Sequence, residues 1–269
     1  GPEANGGLMV EGSTNTPGPL EGARRIMGMI GSGEPCVVLV AGMHGNEPAG
    51  VLALDTLFKE LEQRNDLKGT VIGLAGNLQA LRKGVRAIDT DLNRVWTEAR
   101  VGRDMIEGPL RDELGAEAEE MHALNKVLHE TLDRHRRLYF IDLHTTSAAT
   151  APFVTMNDTL ANRAFVRGLE VPVVLGIEEY LHGPLLSWLM ERGHVAMAFE
   201  SGSHEDPASV HGHLLFCRLA LTKAGVLPMT AAERERHFAA LVTKDGLRHA
   251  IFDVRLRKAI GPSDTFRML

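Results

Sequence analysis

The chain has 269 residues, a hydrophobic fraction of 44% and a formal net charge of -6 at neutral pH. That length suits one large α/β domain with at most a small appendage, and the mild acidity supplies no basic face of the kind that binds nucleic acid. No apolar run approaches the length of a membrane span, so the expected partner is a small molecule, with neither nucleic acid nor a membrane involved.

Residues 1–22 are rich in Gly, Pro, Asn and Thr, without a basic-then-apolar signal pattern, and read as a flexible N-terminal lead. Arg25 to Ile30 is a predicted strand, turned by Gly31-Ser32-Gly33-Glu34-Pro35 into the apolar run Cys36 to Ala41. A run of that length and β-branched content, bounded by glycine, reads as a strand covered on both faces. Ala49 to Leu61 follows with helix periodicity, and Pro48 suits its first turn, where a missing N–H costs nothing. Thr70 to Ala75 is the next strand; a long loop with Arg82, Arg86 and Asp91-Leu92-Asn93-Arg94 then leads to a helical stretch from Leu110 to Arg134. Strands are predicted at Leu138 to His144, Pro152 to Met156, Val171 to Gly176 and His194 to Glu200. Helices are predicted at Pro184 to Arg192, closed by Gly193, at Ser209 to Lys223 and at Ala231 to Val242. This alternation implies a three-layer α/β/α fold around a central mixed, mostly parallel sheet. Cys36 lies in a predicted strand and Cys217 in a predicted helix. Two such cysteines make no disulfide framework, and a reducing cytoplasm is the expected compartment.

Three of the strands end in chemistry. Gly42-Met43-His44-Gly45-Asn46-Glu47-Pro48 places His44 and Glu47 in the turn that leaves the second strand, at a sheet edge where ligands bind in α/β folds. Asp142-Leu143-His144 ends another strand, and Glu200-Ser201-Gly202 a third. Read singly, each is an ordinary turn histidine or a carboxylate suited to a helix dipole. As a set, two histidines and one carboxylate with an open position make a catalytic zinc site, whereas structural zinc sites are closed and rich in Cys. His44, Glu47 and His144 are the expected ligands of one zinc ion per chain. Glu200 has the chemistry of a general base; Glu178 and Glu179 rank well below it. His211-Gly212-His213 lacks a carboxylate or Cys at ligand spacing, and histidines at helix starts are common, so His182, His194, His204, His211 and His213 read as structural or surface residues.

Taken in order, His44-x-x-Glu47, Asp91-Leu92-Asn93-Arg94, Asp142-Leu143-His144 and Glu200-Ser201-Gly202 resemble the motifs of the succinylglutamate desuccinylase/aspartoacylase family, which is related in fold to the zinc carboxypeptidases. The resemblance runs from about Arg25 to about Leu221. It implies a zinc-carboxypeptidase-like catalytic domain over residues 23–245. It also implies that residues 246–269 begin a C-terminal β domain that is truncated or absent here, with Ile251 to Arg255 as its first strand. Arg86 matches the family arginine that polarises the scissile carbonyl, and Asn93 and Arg94 match the pair that holds the substrate carboxylate. Asp91 could orient its loop, and Asp142, two residues before His144, could accept a hydrogen bond from behind that ligand; both are more often backbone-capping aspartates and stay outside the catalytic set. The aspartoacylase branch uses a further arginine shortly before the catalytic glutamate, and Arg192 is out of register with it.

The expectation is a zinc-dependent amidohydrolase that cleaves an N-acyl amino acid. The alternatives are a zinc carboxypeptidase acting on short peptides and a non-catalytic carboxylate-binding relative.

Overall fold

The computed structural model describes residues 20–177, 182–243 and 246–255. Its centre is an eight-stranded sheet in the order β1-β3-β2-β4-β7-β5-β6-β8. The strands are β1 (Ile26–Ser32), β2 (Cys36–Ala41), β3 (Gly69–Ala75), β4 (Leu138–Thr146), β5 (Phe153–Met156), β6 (Val173–Leu175), β7 (Val195–Ser203) and β8 (Ile251–Asp253). β3, β2, β4 and β7 run parallel, while β1 joins β3 and β5 joins β7 antiparallel. The sheet is therefore mixed and mostly parallel, as the alternation of elements implies. β8 pairs parallel with β6 at one edge of this same sheet.

The helices are α1 (Ala49–Glu62), α2 (Leu78–Lys83), α3 (Glu98–Glu107), α4 (Arg111–Leu114), α5 (Glu117–Arg134), α6 (Leu160–Val166), α7 (Leu185–Met190), α8 (Ala208–Lys223) and α9 (Ala231–Leu241). Every residue of β2 is buried, because helices cover both faces of the central strands. Alternation along each strand divides the core in two. Val37 and Leu39 of β2, Ile141 of β4 and Met197 of β7 pack with Leu54 and Leu57 of α1 and Phe216 of α8. Val38 and Val40 of β2, Phe140 of β4 and Ala198 of β7 pack instead with Met121 and Leu124 of α5 and Leu189 of α7. Asp142, His144 and Glu200 continue the second set by parity, so they belong to the α5/α7 face in the carboxyl-terminal halves of parallel strands.

Three segments differ from the sequence expectation. The stretch after β3 is not one long loop: Asn77 accepts a hydrogen bond from Ala80 N and starts α2, and α3 follows, begun by Thr97. The helical run expected from Leu110 to Arg134 is broken at Gly115, whose φ of +62° leaves helical geometry between α4 and α5. His144 and Glu200 lie within β4 and β7 and not at their ends, because pairing runs on past a bulge to Thr146↔Ser203 and β5 joins alongside Glu200. Glu178 and Glu179 lie outside the described residues.

Candidate active site

The turn after β2 is built from close backbone packing. Gly42 takes a φ of +72°, which favours glycine, and Asn77 N donates to its carbonyl at 2.8 Å. Glu47 N then donates to His44 O at 3.1 Å, folding the two side chains toward each other. Pro48 precedes α1 in helical conformation (φ -76°, ψ -12°) and its carbonyl accepts from Leu52 N at 3.1 Å, so the chain passes straight from turn to helix.

His44, Glu47 and His144 are all buried and offer ligand atoms that lie within 4.8 Å of one another. His44 Nδ1 is 2.5 Å from Glu47 Oε2, and His144 Nδ1 is 3.4 Å from the same oxygen. The other Glu47 oxygen accepts from Thr145 N at 3.0 Å. Both imidazoles thus turn Nδ1 inward. Each presents Nε2 to a carboxylate: His44 to Asp91 Oδ1 at 2.9 Å, and His144 to Asp142 Oδ2 at 2.7 Å. The second contact is ionic and off the angle of a hydrogen bond, so both Asp142 oxygens are buried without a hydrogen-bond partner. The Asp91 carboxylate on the outer nitrogen of His44 fixes its tautomer and ring orientation, as at metal sites generally, while Asp142 faces the outer nitrogen of His144 as a nearby charge.

The electrostatics suit a cation. Burial works against the charge of Glu47, yet the two imidazoles outweigh it and hold the carboxyl well below the usual range. Burial likewise opposes protonation of both rings, but Asp91 and Glu47 raise His44, and Asp142 and Glu47 raise His144. The positive charge that Glu47, Asp91 and Asp142 draw to this buried cluster sits on the two imidazoles. A divalent ion held by the two Nδ1 atoms and Glu47 would replace it with both rings neutral, and two histidines with one carboxylate are ligands that suit zinc.

Glu200 stands on β7 directly beside His144 on β4, paired in register and on the same face. Its Oε2 is buried without a partner. Burial pushes its carboxyl up to about 7; His144 opposes the rise, while Glu47 and Asp142 add to it. Arg86 is half-exposed and donates to Asp91 Oδ2 at 2.9 Å, so Asp91 holds both a histidine and this arginine. Asp91 also accepts from Asn93 N at 2.9 Å, starting the single 3₁₀ turn Leu92–Arg94. Asn93 is buried, and its Oδ1 accepts from Leu185 N at 3.3 Å, which leaves the amide NH₂ as its donor to the cleft. Arg94 Nη1 donates to Asn93 O at 2.7 Å.

All seven residues singled out from sequence therefore line one cleft of about 390 Å³, walled further by Thr145, Phe153, Ile177 and His204. Asp91 and Asp142, set outside the catalytic set on sequence grounds, each face the outer nitrogen of a histidine here; for Asp142 strand periodicity points the same way, since residues i and i+2 share a face. Sequence reasoning did not place His204 at this site; its Nδ1 comes within 2.6 Å of Thr145 Oγ1 across 59 positions of sequence. Arg192 stays outside the cleft, stacked over Trp188 at 4.0 Å and ion-paired with Glu98.

Comparison with known proteins agrees with this architecture. A succinylglutamate desuccinylase of Photorhabdus laumondii is 32% identical over 120 residues, 44% of this chain and 35% of that protein. A probable aspartoacylase of Acaryochloris marina is 36% identical over 118 residues, 42% of this chain and 35% of that protein. The matched stretch thus spans about a third of the length of these curated relatives. Among solved structures, the succinylglutamate desuccinylase/aspartoacylase from Rhodobacter sphaeroides superposes with a TM-score of 0.59 at 20% identity, covering 86% of this chain and 65% of that one. The succinylglutamate desuccinylase from Chromobacterium violaceum gives 0.54 at 18% identity, covering 87% and 73%. At such identities the structural likeness speaks for the fold. Residues 34–209 match the model of the succinylglutamate desuccinylase/aspartoacylase catalytic domain, and with that match over most of its length the chain belongs to this family.

Proposed function

We propose that this chain is a zinc-dependent hydrolase of N-acyl amino acids, with His44, Glu47 and His144 holding one zinc ion. The observation that carries the reading is the convergence of two Nδ1 atoms and a Glu47 oxygen beside Glu200, whose Oε2 is buried without a partner, in a cleft that also holds Arg86. A zinc ion bound there supplies Lewis acidity toward the amide carbonyl and lowers the pKa of water to about 7.

The chain's own residues do the rest. Asn93 and Arg94 bind the carboxylate of the amino acid, the guanidinium offering a planar fork that matches a carboxylate with two hydrogen bonds. That contact sets which amide bond reaches Glu200. Glu200 takes a proton from the attacking water and passes it to the leaving nitrogen; a positioned base of this kind contributes roughly 10²–10⁴-fold. Beside a divalent cation the Glu200 carboxyl would be drawn down from the value that burial gives it, toward the ionised base that the first half of that transfer needs. Arg86 faces the oxygen on which charge develops, where one well-placed donor is worth about 3–4 kcal/mol.

The test is metal content together with amino-acid release from a panel of N-acyl amino acids and short peptides, comparing wild type with Glu200→Ala. About one zinc per chain, with release abolished by the substitution and zinc retained, supports the reading. Zinc with no release from any acyl amino acid would reduce the site to a carboxylate-binding pocket. Release from peptides alone would mark a carboxypeptidase.

A further inference from the structure

We infer that Glu117 is a positioning residue for this site, clamping the loop that carries Arg86 and Asp91 to the start of α5. Glu117 is the first residue of α5, fully buried, and does not line the cleft. Its Oε1 accepts from Ile88 N at 2.6 Å and from Asn77 Nδ2 at 2.9 Å. Its Oε2 accepts from Asp89 N at 2.9 Å and Thr90 N at 3.0 Å. A glutamate in the first turn of a helix ordinarily serves that helix, by its dipole or by bonding its free N–H groups. Here all four donors come from outside α5, and three are consecutive backbone amides of one loop.

The clamp is reciprocal. Ala116 N, just before α5, donates to Asp89 Oδ2 at 2.7 Å, and the turn at Gly115 passes so close to the Asp89 carboxylate that a Cβ there has no room. At its other end the carboxylate reaches the metal turn. Asn77, which donates to Oε1, also donates its backbone N–H to Gly42 O at 2.8 Å, two residues before His44. One buried carboxylate therefore ties the strand end that presents His44 to the loop that delivers Asp91 to the outer nitrogen of His44. That same loop carries Arg86. Burial raises the Glu117 carboxyl, but the amides of Ile88, Asp89 and Thr90 and the Asn77 side chain bring it below the usual carboxylate range, so it is held as the anion these donors need.

The experiment is Glu117→Gln, which keeps the shape but replaces one acceptor oxygen with an NH₂ group that cannot receive an amide N–H. Three readouts are taken on the full chain: zinc affinity by chelator competition, hydrogen exchange at residues 86–91, and kcat and KM on the acyl amino acid that wild type cleaves. Zinc affinity is expected to fall by about tenfold or more, the range for residues that orient a metal ligand from behind. Amide protection at Ile88, Asp89 and Thr90 is expected to drop, and kcat to fall more than KM rises. A folded variant with wild-type zinc affinity and wild-type kcat, altered only in its denaturation midpoint, would leave Glu117 a contributor to fold stability alone and overturn the inference. Should Glu117→Gln not fold, Asp89→Ala cuts only the reciprocal bond to Ala116 and takes the same readouts. Weaker zinc binding and loosened loop amides are expected there too, and their absence overturns the inference equally. The inference rests on the proposed function: a wild-type chain that neither binds zinc nor releases product sinks both. A competent wild type matched by its variants sinks only this one.

Discussion

Gly45→Ala tests how far the candidate site depends on backbone packing. Gly45 lies between the two proposed ligands of the first turn, His44 and Glu47, with its N–H donating to Arg86 O at 3.2 Å. A methyl group at this position would meet the Ala80 carbonyl carbon, the Ala80 oxygen and the Leu81 nitrogen, all well under 3.0 Å. Those neighbours are the backbone of α2 and cannot swing aside. Ordinary contact is about 3.5 Å between carbons, and the added carbon would lie well inside that distance from the Ala80 carbonyl carbon, so the turn and α2 must part by more than about 1 Å. Both sides of the contact matter to the site. The turn carries His44 and Glu47, while Ala80 O accepts from Val85 N at 3.2 Å at the root of the Arg86 loop.

A displacement of about 1 Å at a reacting centre costs on the order of 10²-fold in rate, and overpacking costs about 1–3 kcal/mol of stability. Gly45→Ala is therefore expected to fold, with kcat/KM down about a hundredfold and zinc affinity reduced. Gly50→Ala is the internal control. There the added carbon meets the Leu143 and Ala41 side chains at 2.9 and 3.0 Å, a mismatch of a few tenths of an ångström against Cβ atoms at the base of α1. It should cost less in every readout. Denaturant unfolding, chelator competition and steady-state kinetics on the three proteins decide the matter. If Gly45→Ala keeps wild-type zinc affinity and kcat/KM while losing stability, the turn is not geometrically coupled to α2 and the reasoning fails.

Other perturbations follow from the same structure. Arg94→Ala should raise KM more than it lowers kcat, by about tenfold for each 1.4 kcal/mol of charged hydrogen bonding lost; an unchanged KM would remove Arg94 from carboxylate binding. Chelation should lower the denaturation midpoint, since a ligand that binds only the folded chain at 100 times its Kd stabilises by about 2.7 kcal/mol; an unshifted midpoint in the zinc-free protein would count against the metal site. His194 is buried, accepts from Leu138 N at Nδ1 and is held below its usual pKa by burial, helped by Arg137 and Arg192. The unfolded chain therefore takes up a proton below about 6.5 that the folded chain resists, and stability falls with falling pH by up to about 1.4 kcal/mol per unit. His194→Asn keeps an acceptor without the titration and should flatten that slope; identical pH dependence in the two proteins would refute it.

What was legible in the sequence follows the range of the forces involved. β2, β4 and β7 were readable because a strand buried on both faces needs an uninterrupted apolar run, a purely local signal. The division of the core by strand parity was equally local, and it places His144 and Glu200 side by side once β4 and β7 are known to be neighbours. The break at Gly115 was missed because the polar run on either side keeps helix periodicity, while the reason for the turn is remote: Asp89, 26 positions back in sequence, needs space against that backbone.

The same distinction separates the ligands from the groups that hold them. His44, Glu47 and His144 could be named as candidate ligands from short motifs, because a metal site selects residue types where neighbouring parallel strands deliver them. Asp91 lies in such a motif too, but its partner could not be read from it, since it reaches His44 across 47 residues through a loop with no periodicity of its own. Glu117, which bonds the three amides just before Asp91, reads locally only as an acidic helix start. A motif therefore specifies what the site is made of, and buried polar contacts between distant segments specify where those atoms sit. The rate of the proposed chemistry depends on the second as steeply as on the first, because an error of about 1 Å costs as much as losing a hydrogen bond to charge.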